Sequence, residues 1–117
     1  MRKHRRLTFR QIDRIHVVNI LSGEPMGYIA DLSLGGLRLV SPSPLAPGAC
    51  FEIRLEIPVR EGHFRHVDIH IVCQWSRKDG TSGRFHIGCA LDRPAPAFTE
   101  MVASMHASLG FARSLKV

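Results

Sequence analysis

Hydrophobic and polar positions alternate most clearly over residues 50–57, where Phe51, Ile53, Leu55 and Ile57 interleave with Glu52, Arg54 and Glu56. A period of two sends successive side chains to opposite faces of an extended chain, so this segment is a half-buried strand. Over 67–75 the pattern repeats, with Val67, Ile69, Ile71, Cys73 and Trp75 on one face. Asp68, His70, Gln74 and Ser76 share the other face, with Val72 among them. A third run, 85–91, turns Phe85, Ile87, Cys89 and Leu91 inward, and Gly88 leaves a gap on the outer side. Nearer the start, β-branched residues predict a strand over about 14–21, closed by a turn at Ser22-Gly23-Glu24-Pro25. Strands at 26–31 and 37–40 follow, separated by Leu32-Ser33-Leu34-Gly35-Gly36, because adjacent glycines rarely sit inside a strand. Proline-rich stretches at 41–48 and 93–96 form stiff connections, and 60–63 and 77–83 read as loops.

The period changes after residue 96. Phe98, Met101, Val102, Met105 and Leu109 recur at steps of three and four, which predicts an amphipathic helix over 97–109 ended by Gly110. Six or seven short strands and a terminal helix without internal repeats predict an all-β fold, a small antiparallel barrel. Ile53, Leu55, Ile71, Trp75, Ile87 and Leu91 are expected inside it. The helix should cover an open end or edge.

Charge divides the chain unevenly. Five of the 16 Lys and Arg residues lie in positions 1–10, as Arg2, Lys3, Arg5, Arg6 and Arg10, with no acidic residue among them. The remainder holds eleven basic and ten acidic residues, so the body is close to neutral. This predicts three parts: a flexible basic arm over 1–10, a domain over 11–110 and a tail over 111–117. At 117 residues the chain is one domain's length, which excludes a helicase or polymerase and argues against a multi-substrate enzyme. No apolar run approaches a membrane span, and the basic start lacks a signal-peptide core, so the expected location is cytoplasmic, without membrane insertion. Cys50, Cys73 and Cys89 are an odd number at wide spacing, which fits a reducing compartment and small buried side chains.

Candidate chemistry is sparse. His63, His66, His70 and Cys73 are close in sequence, but alternation sends Cys73 to the face opposite His66 and His70, so no metal site is expected. There is no nucleophile elbow, phosphate-binding loop or dinucleotide-binding glycine motif, and the chain reads as a non-enzyme without cofactor. The basic arm has several uses open to it: solvation of the terminus, weak polyanion binding, or a clamp. Arg6 and Arg10 flank Leu7, Thr8 and Phe9, and two guanidiniums offer forks to phosphate or guanine edges and flat faces for stacking. Asp31-Leu32-Ser33-Leu34-Gly35-Gly36 is either a polar turn or a binding turn. In the second case the carboxylate accepts the N1 and N2 hydrogens of guanine, the Ser33 hydroxyl donates to phosphate, and the glycines admit a close ligand.

Together these segments resemble the PilZ domain family, marked by an arginine pair separated by three residues, then Asp or Asn, any residue, Ser, two residues and Gly. Here the elements read Arg6-Leu7-Thr8-Phe9-Arg10, preceded by Arg5, and Asp31-Leu32-Ser33-Leu34-Gly35-Gly36, with twenty residues between Arg10 and Asp31. Val72-Cys73-Gln74-Trp75 and Phe85-His86-Ile87-Gly88-Cys89 look like the family's late hairpin, and the resemblance spans about residues 5–109. It implies a six-stranded antiparallel barrel and a bacterial receptor for the second messenger cyclic di-GMP, in motility or biofilm regulation. By motif position, Arg6 and Arg10 grip guanine edges, bases and phosphates. Asp31 reads a guanine edge, Ser33 helps at the phosphate side, Gly36 leaves room beside Gly35, and Arg5 adds a stacking or phosphate contact. The ligand would order the arm on the barrel, and the signal would pass through an unidentified effector protein, with the receptor a monomer or weak homodimer. Two other classes stand beside this: a ligand-independent adaptor for a motility or secretion component, and a single-stranded nucleic-acid-binding barrel. Against the second, the body is near neutral and aromatics near loops are few, so no stable nucleic-acid partner is expected.

Overall fold

The computed structural model describes residues 7–8, as backbone, and residues 15–105. Seven strands follow the chain: β1 (Leu7–Thr8), β2 (His16–Asn19), β3 (Pro25–Ser33), β4 (Gly36–Ser41), β5 (Cys50–Arg60), β6 (His63–Lys78) and β7 (Phe85–Leu91). Every pairing is antiparallel. The sheet order runs β3-β2-β5-β6-β7-β4, and β4 pairs again with β3, so six strands close into a ring. Closure removes the open edges that an antiparallel sheet otherwise exposes. β1 adds to β3 along the edge it already shares with β2, opposite Leu32 and Asp31. Among the described residues no helix is long and apolar enough to cross a membrane.

The ring is filled by the residues that alternation turned inward. Ile53, Leu55, Ile57, Val67, Ile69, Ile71, Cys73, Ile87 and Cys89 are buried in one apolar cluster with Ile29, Leu32, Leu37 and Leu39. A helix, α1, occupies residues 96–105. Pro96 opens it, where a missing amide hydrogen costs nothing and the fixed φ already suits a helix. Its apolar stripe, Phe98, Met101 and Val102, joins the same cluster, with Met105 half-buried against it. Leu109 and Gly110, expected to complete this helix, lie outside the described residues.

Four expectations change. Trp75, expected inside, is 37% exposed. The register steps from Cys73 opposite Cys89 to Trp75 opposite Gly88, so Gln74 is an extra residue on β6 and Trp75 turns outward. Ser76 takes the inward position beyond the bulge, and its buried hydroxyl has no hydrogen-bond partner. Leu91 is half-buried against the cluster rather than enclosed by it. Cys50, expected to be buried, is exposed at the start of β5, whereas Cys73 and Cys89 are buried. Burial pushes the Cys73 thiol up, and burial with the nearby Cys73 takes Cys89 up to about 12, so both thiols behave as apolar groups. Finally, Leu7–Thr8 depart from the expected free arm by pairing into the sheet; the rest of 1–10 lies outside the described residues.

The outer face of β5 and β6 is a charge ladder. Arg54 donates to both oxygens of Asp68, at 2.8 and 3.0 Å, and His70 Nε2 lies 2.9 Å from Glu52. The hydrogen bond from Arg54 holds the Asp68 carboxyl below the ordinary carboxylate range. A depressed folded pKa means a contribution present at neutral pH and lost as pH falls through that lowered value. Both side chains are exposed, so the effect is small. Asp68→Asn should leave the acid limb of thermal stability slightly flatter than in the parent, with the difference vanishing at the lowest pH. By contrast, Phe98→Ala removes a fully buried ring and should cost about 3–5 kcal/mol in urea denaturation.

Candidate functional site

Ile29 and Leu32 both lie at 0% exposure, three positions apart on β3, which strict alternation forbids. A bulge resolves this. The register passes from Ile29 opposite Leu39 to Asp31 opposite Arg38, leaving Ala30 as the extra residue. Without it Asp31 would point into the core and Leu32 out of it. With it Asp31 stands on the outer side of the ring, across from Arg38, and is still only 4% exposed. Arg38 Nε donates to Asp31 Oδ2 at 2.8 Å, so the carboxylate is buried with a cationic partner.

The pairings align a row across five strands: Thr8, Asp31, Arg38, Gly88 and Trp75 on β1, β3, β4, β7 and β6. Thr8 belongs to the three-residue spacer between Arg6 and Arg10. The backbone of the first motif therefore lies beside the aspartate of the second. Arg5, Arg6 and Arg10 themselves lie outside the described residues. The neighbouring row carries Tyr28, Val40, His86 and Arg77. Arg38, Trp75, Arg77, Lys78, Asp79 and His86 surround a surface hollow on this side. Arg38, Arg77 and Lys78 outnumber Asp79 and the Asp31 that pairs with Arg38, a balance that suits an anionic ligand, and the indole offers a flat face.

The remaining motif residues make contacts within the fold. β3 runs on through Ser33, and only Leu34 and Gly35 separate it from β4, so the interruption expected at 32–36 is a tight hairpin. The Ser33 hydroxyl, buried, donates to the Gly36 carbonyl at 3.4 Å and closes that turn. Gly35 accepts from the Leu91 amide at 3.1 Å, tying the turn to β7. A Cβ on Gly36 would stand 2.1 Å from the Cys89 carbonyl oxygen, so the missing side chain makes room for β7. Gly88 does the same for Trp75, whose Nε1 lies 2.1 Å from the position a Cβ would take. The indole lies in that notch, with the Arg77 guanidinium 5.0 Å from its centre.

Sequence reasoning missed Arg38, Arg77, His86 and the outward face of Trp75. A signal for Arg38 was present: it is the lone charge inside Leu37-Arg38-Leu39-Val40, two positions past the glycine pair. For Trp75 the signal was Gly88, a gap in a strand that needed an occupant. Among the described residues no three His, Cys, Asp or Glu side chains gather as a metal site.

Comparison with known proteins agrees with this architecture. The family model of the PilZ domain matches residues 2–104. The fold resembles the Bacillus subtilis inhibitor of motility (MotI/DgrA), with a TM-score of 0.73 and 15% identity, covering 95% of this chain and 51% of that one. It also resembles the PilZ domain with c-di-GMP of YcgR from Escherichia coli, with a TM-score of 0.61 and 16% identity, covering 98% and 95%. A third likeness is to YcgR from Escherichia coli in complex with c-di-GMP, with a TM-score of 0.69, 15% identity and coverage of 98% and 48%. The chain thus spans about half the length of MotI/DgrA and of full YcgR. No curated protein matches the sequence.

The notch over Gly88 gives a direct check, since Trp75 is the chain's single tryptophan. Gly88→Ala should push the indole off the sheet. Its emission maximum should move to longer wavelength, and iodide should quench it more readily than in the parent. An unchanged spectrum would show that the ring does not rest there.

Proposed function

Since the chain belongs to the PilZ domain family, we propose that it is a receptor for cyclic di-GMP that signals through a partner protein. The observation that carries this reading is the β1–β3 pairing. Residues 7–8, from between the two arginines, run beside Leu32 and Asp31, so the described part of the first motif borders the second. The cation-rich hollow next to Asp31 supports it further, because a ligand with two phosphates is drawn there by charge.

In this reading Arg6 and Arg10 supply most of the binding energy, through forked hydrogen bonds to phosphate and guanine edges and through stacking. Asp31 accepts hydrogen bonds from the N1 and N2 positions of guanine and supplies selectivity. Ser33, Gly35 and Gly36 shape the turn that carries it, and Arg5 adds a phosphate or stacking contact. Trp75 offers a base a flat face beside Arg38 and Arg77. Binding then orders the arm against the ring, at roughly 1–2 kcal/mol per backbone residue fixed, which charge-assisted bonds and stacking must exceed. The arm and ring together form the surface that a partner reads. A small soluble receptor of this kind acts in the cytoplasm, as a monomer or weak homodimer, without catalysis or cofactor.

Titration calorimetry with cyclic di-GMP tests the reading. Charged hydrogen bonds contribute around 1.5–3 kcal/mol each, so Arg10→Ala should weaken binding roughly 10- to 150-fold. Arg10→Lys should recover little, because an ammonium keeps the charge and loses the planar fork. Asp31→Ala should reduce the preference for guanine over adenine cyclic dinucleotides more than it reduces anion binding. Absence of binding by the parent at high micromolar ligand would replace the receptor with a ligand-independent adaptor.

A further inference from the structure

Arg38 is held at two of its edges. Its Nε donates to Asp31 Oδ2, and its Nη1 contacts His86 Nδ1 on β7, 48 residues away in sequence. A guanidinium is a permanent donor with nothing to accept, so Nδ1 must be the acceptor and the imidazole proton sits on Nε2. That nitrogen faces Asp79 Oδ2 at 3.9 Å, beyond direct hydrogen-bond reach. Asp79 is itself pinned in the β6–β7 turn, accepting from the Thr81 amide at 3.1 Å and the Ser82 hydroxyl at 2.9 Å. A polar chain therefore runs from Asp31 through Arg38 and His86 to the turn beyond β6.

A planar guanidinium fastened at both ends cannot swing about its own axis. The Asp31 oxygen it holds then has a fixed place. A base-reading carboxylate discriminates only if it cannot rotate to meet other donors, because rejection of a wrong ligand comes from groups left unpaired in a fixed site. We propose that Arg38 and His86 are a positioning pair that sets base selectivity, His86 acting through Arg38 to hold Asp31 toward the edge that bears the 2-amino group of guanine. This rests on the receptor reading above and adds two residues outside both motifs.

The test uses the full chain, titrated with cyclic di-GMP and with its inosine analogue, which lacks the 2-amino groups. The parent should prefer the guanine ligand roughly tenfold or more, the value of one charge-assisted hydrogen bond. His86, with its side chain 30% exposed, tolerates truncation better than Arg38, whose loss removes a charged hydrogen bond from the buried Asp31. His86→Ala and Arg38→Ala should both reduce the preference to about threefold or less, as expected when one such bond is lost. His86→Asn should retain it, because the amide oxygen lies where Nδ1 accepts. His86→Gln should not, because its oxygen reaches the place of Nε2. In the ligand-free protein, nitrogen NMR should find His86 in the Nε2–H form. Full preference in His86→Ala, equal behaviour of Asn and Gln, or an Nδ1–H ring would overturn the proposal while leaving the receptor intact. A parent that binds neither ligand would instead sink the receptor reading, and the selectivity role with it.

Discussion

Every side of this protein is decided by the two-residue period of the strand. In a closed ring one face of each strand is core and the other is surface, so a single residue of slip exchanges them. The chain uses that constraint by breaking it at chosen points. Ala30 and Gln74 are each one residue too many for the partner strand. The first turns a carboxylate out of the core, and the second does the same for an indole. Both then lie in a row that also holds Arg38 and the gap at Gly88. The row is thus a product of two register shifts, and the hollow beside it is completed by Asp79 and Gly80 of the β6–β7 turn.

Much of this was legible beforehand. Strands at 50–57, 67–75 and 85–91 follow from alternation, and Phe98, Met101 and Val102 pack as their spacing requires. The side on which Trp75 stands was not legible, because an inserted residue leaves the run of apolar and polar letters unchanged. Asp31 posed the reverse problem: its motif was visible, but its cationic partner comes from register across a hairpin. His86 is harder still, joined to Arg38 only because β4 and β7 close the ring. Pairing across a closure carries no local pattern in either segment.

The glycines show how one residue serves packing and site together. Gly36 closes the short motif of the β3–β4 turn, and the space beside it is filled by the backbone of β7. A side chain there would part β4 from β7 and open the ring at the seam that brings Arg38 to His86. Integrity of the barrel and geometry of the site are therefore not separable at that position. The Ser33 hydroxyl likewise helps close the turn, by donating to the Gly36 carbonyl.

β1 is two residues long and abuts β3 on the edge that β2 has already left. So short a ladder has a free energy of opening near the bottom of the range for native structure. Its closed fraction is thus a sensitive variable, shifted by any influence worth a kilocalorie or so. Linkage makes the shift reciprocal: whatever prefers the zipped strand is itself bound more tightly by it. Two backbone pairs thus couple the chain before β2 to the edge of β3 that carries Asp31.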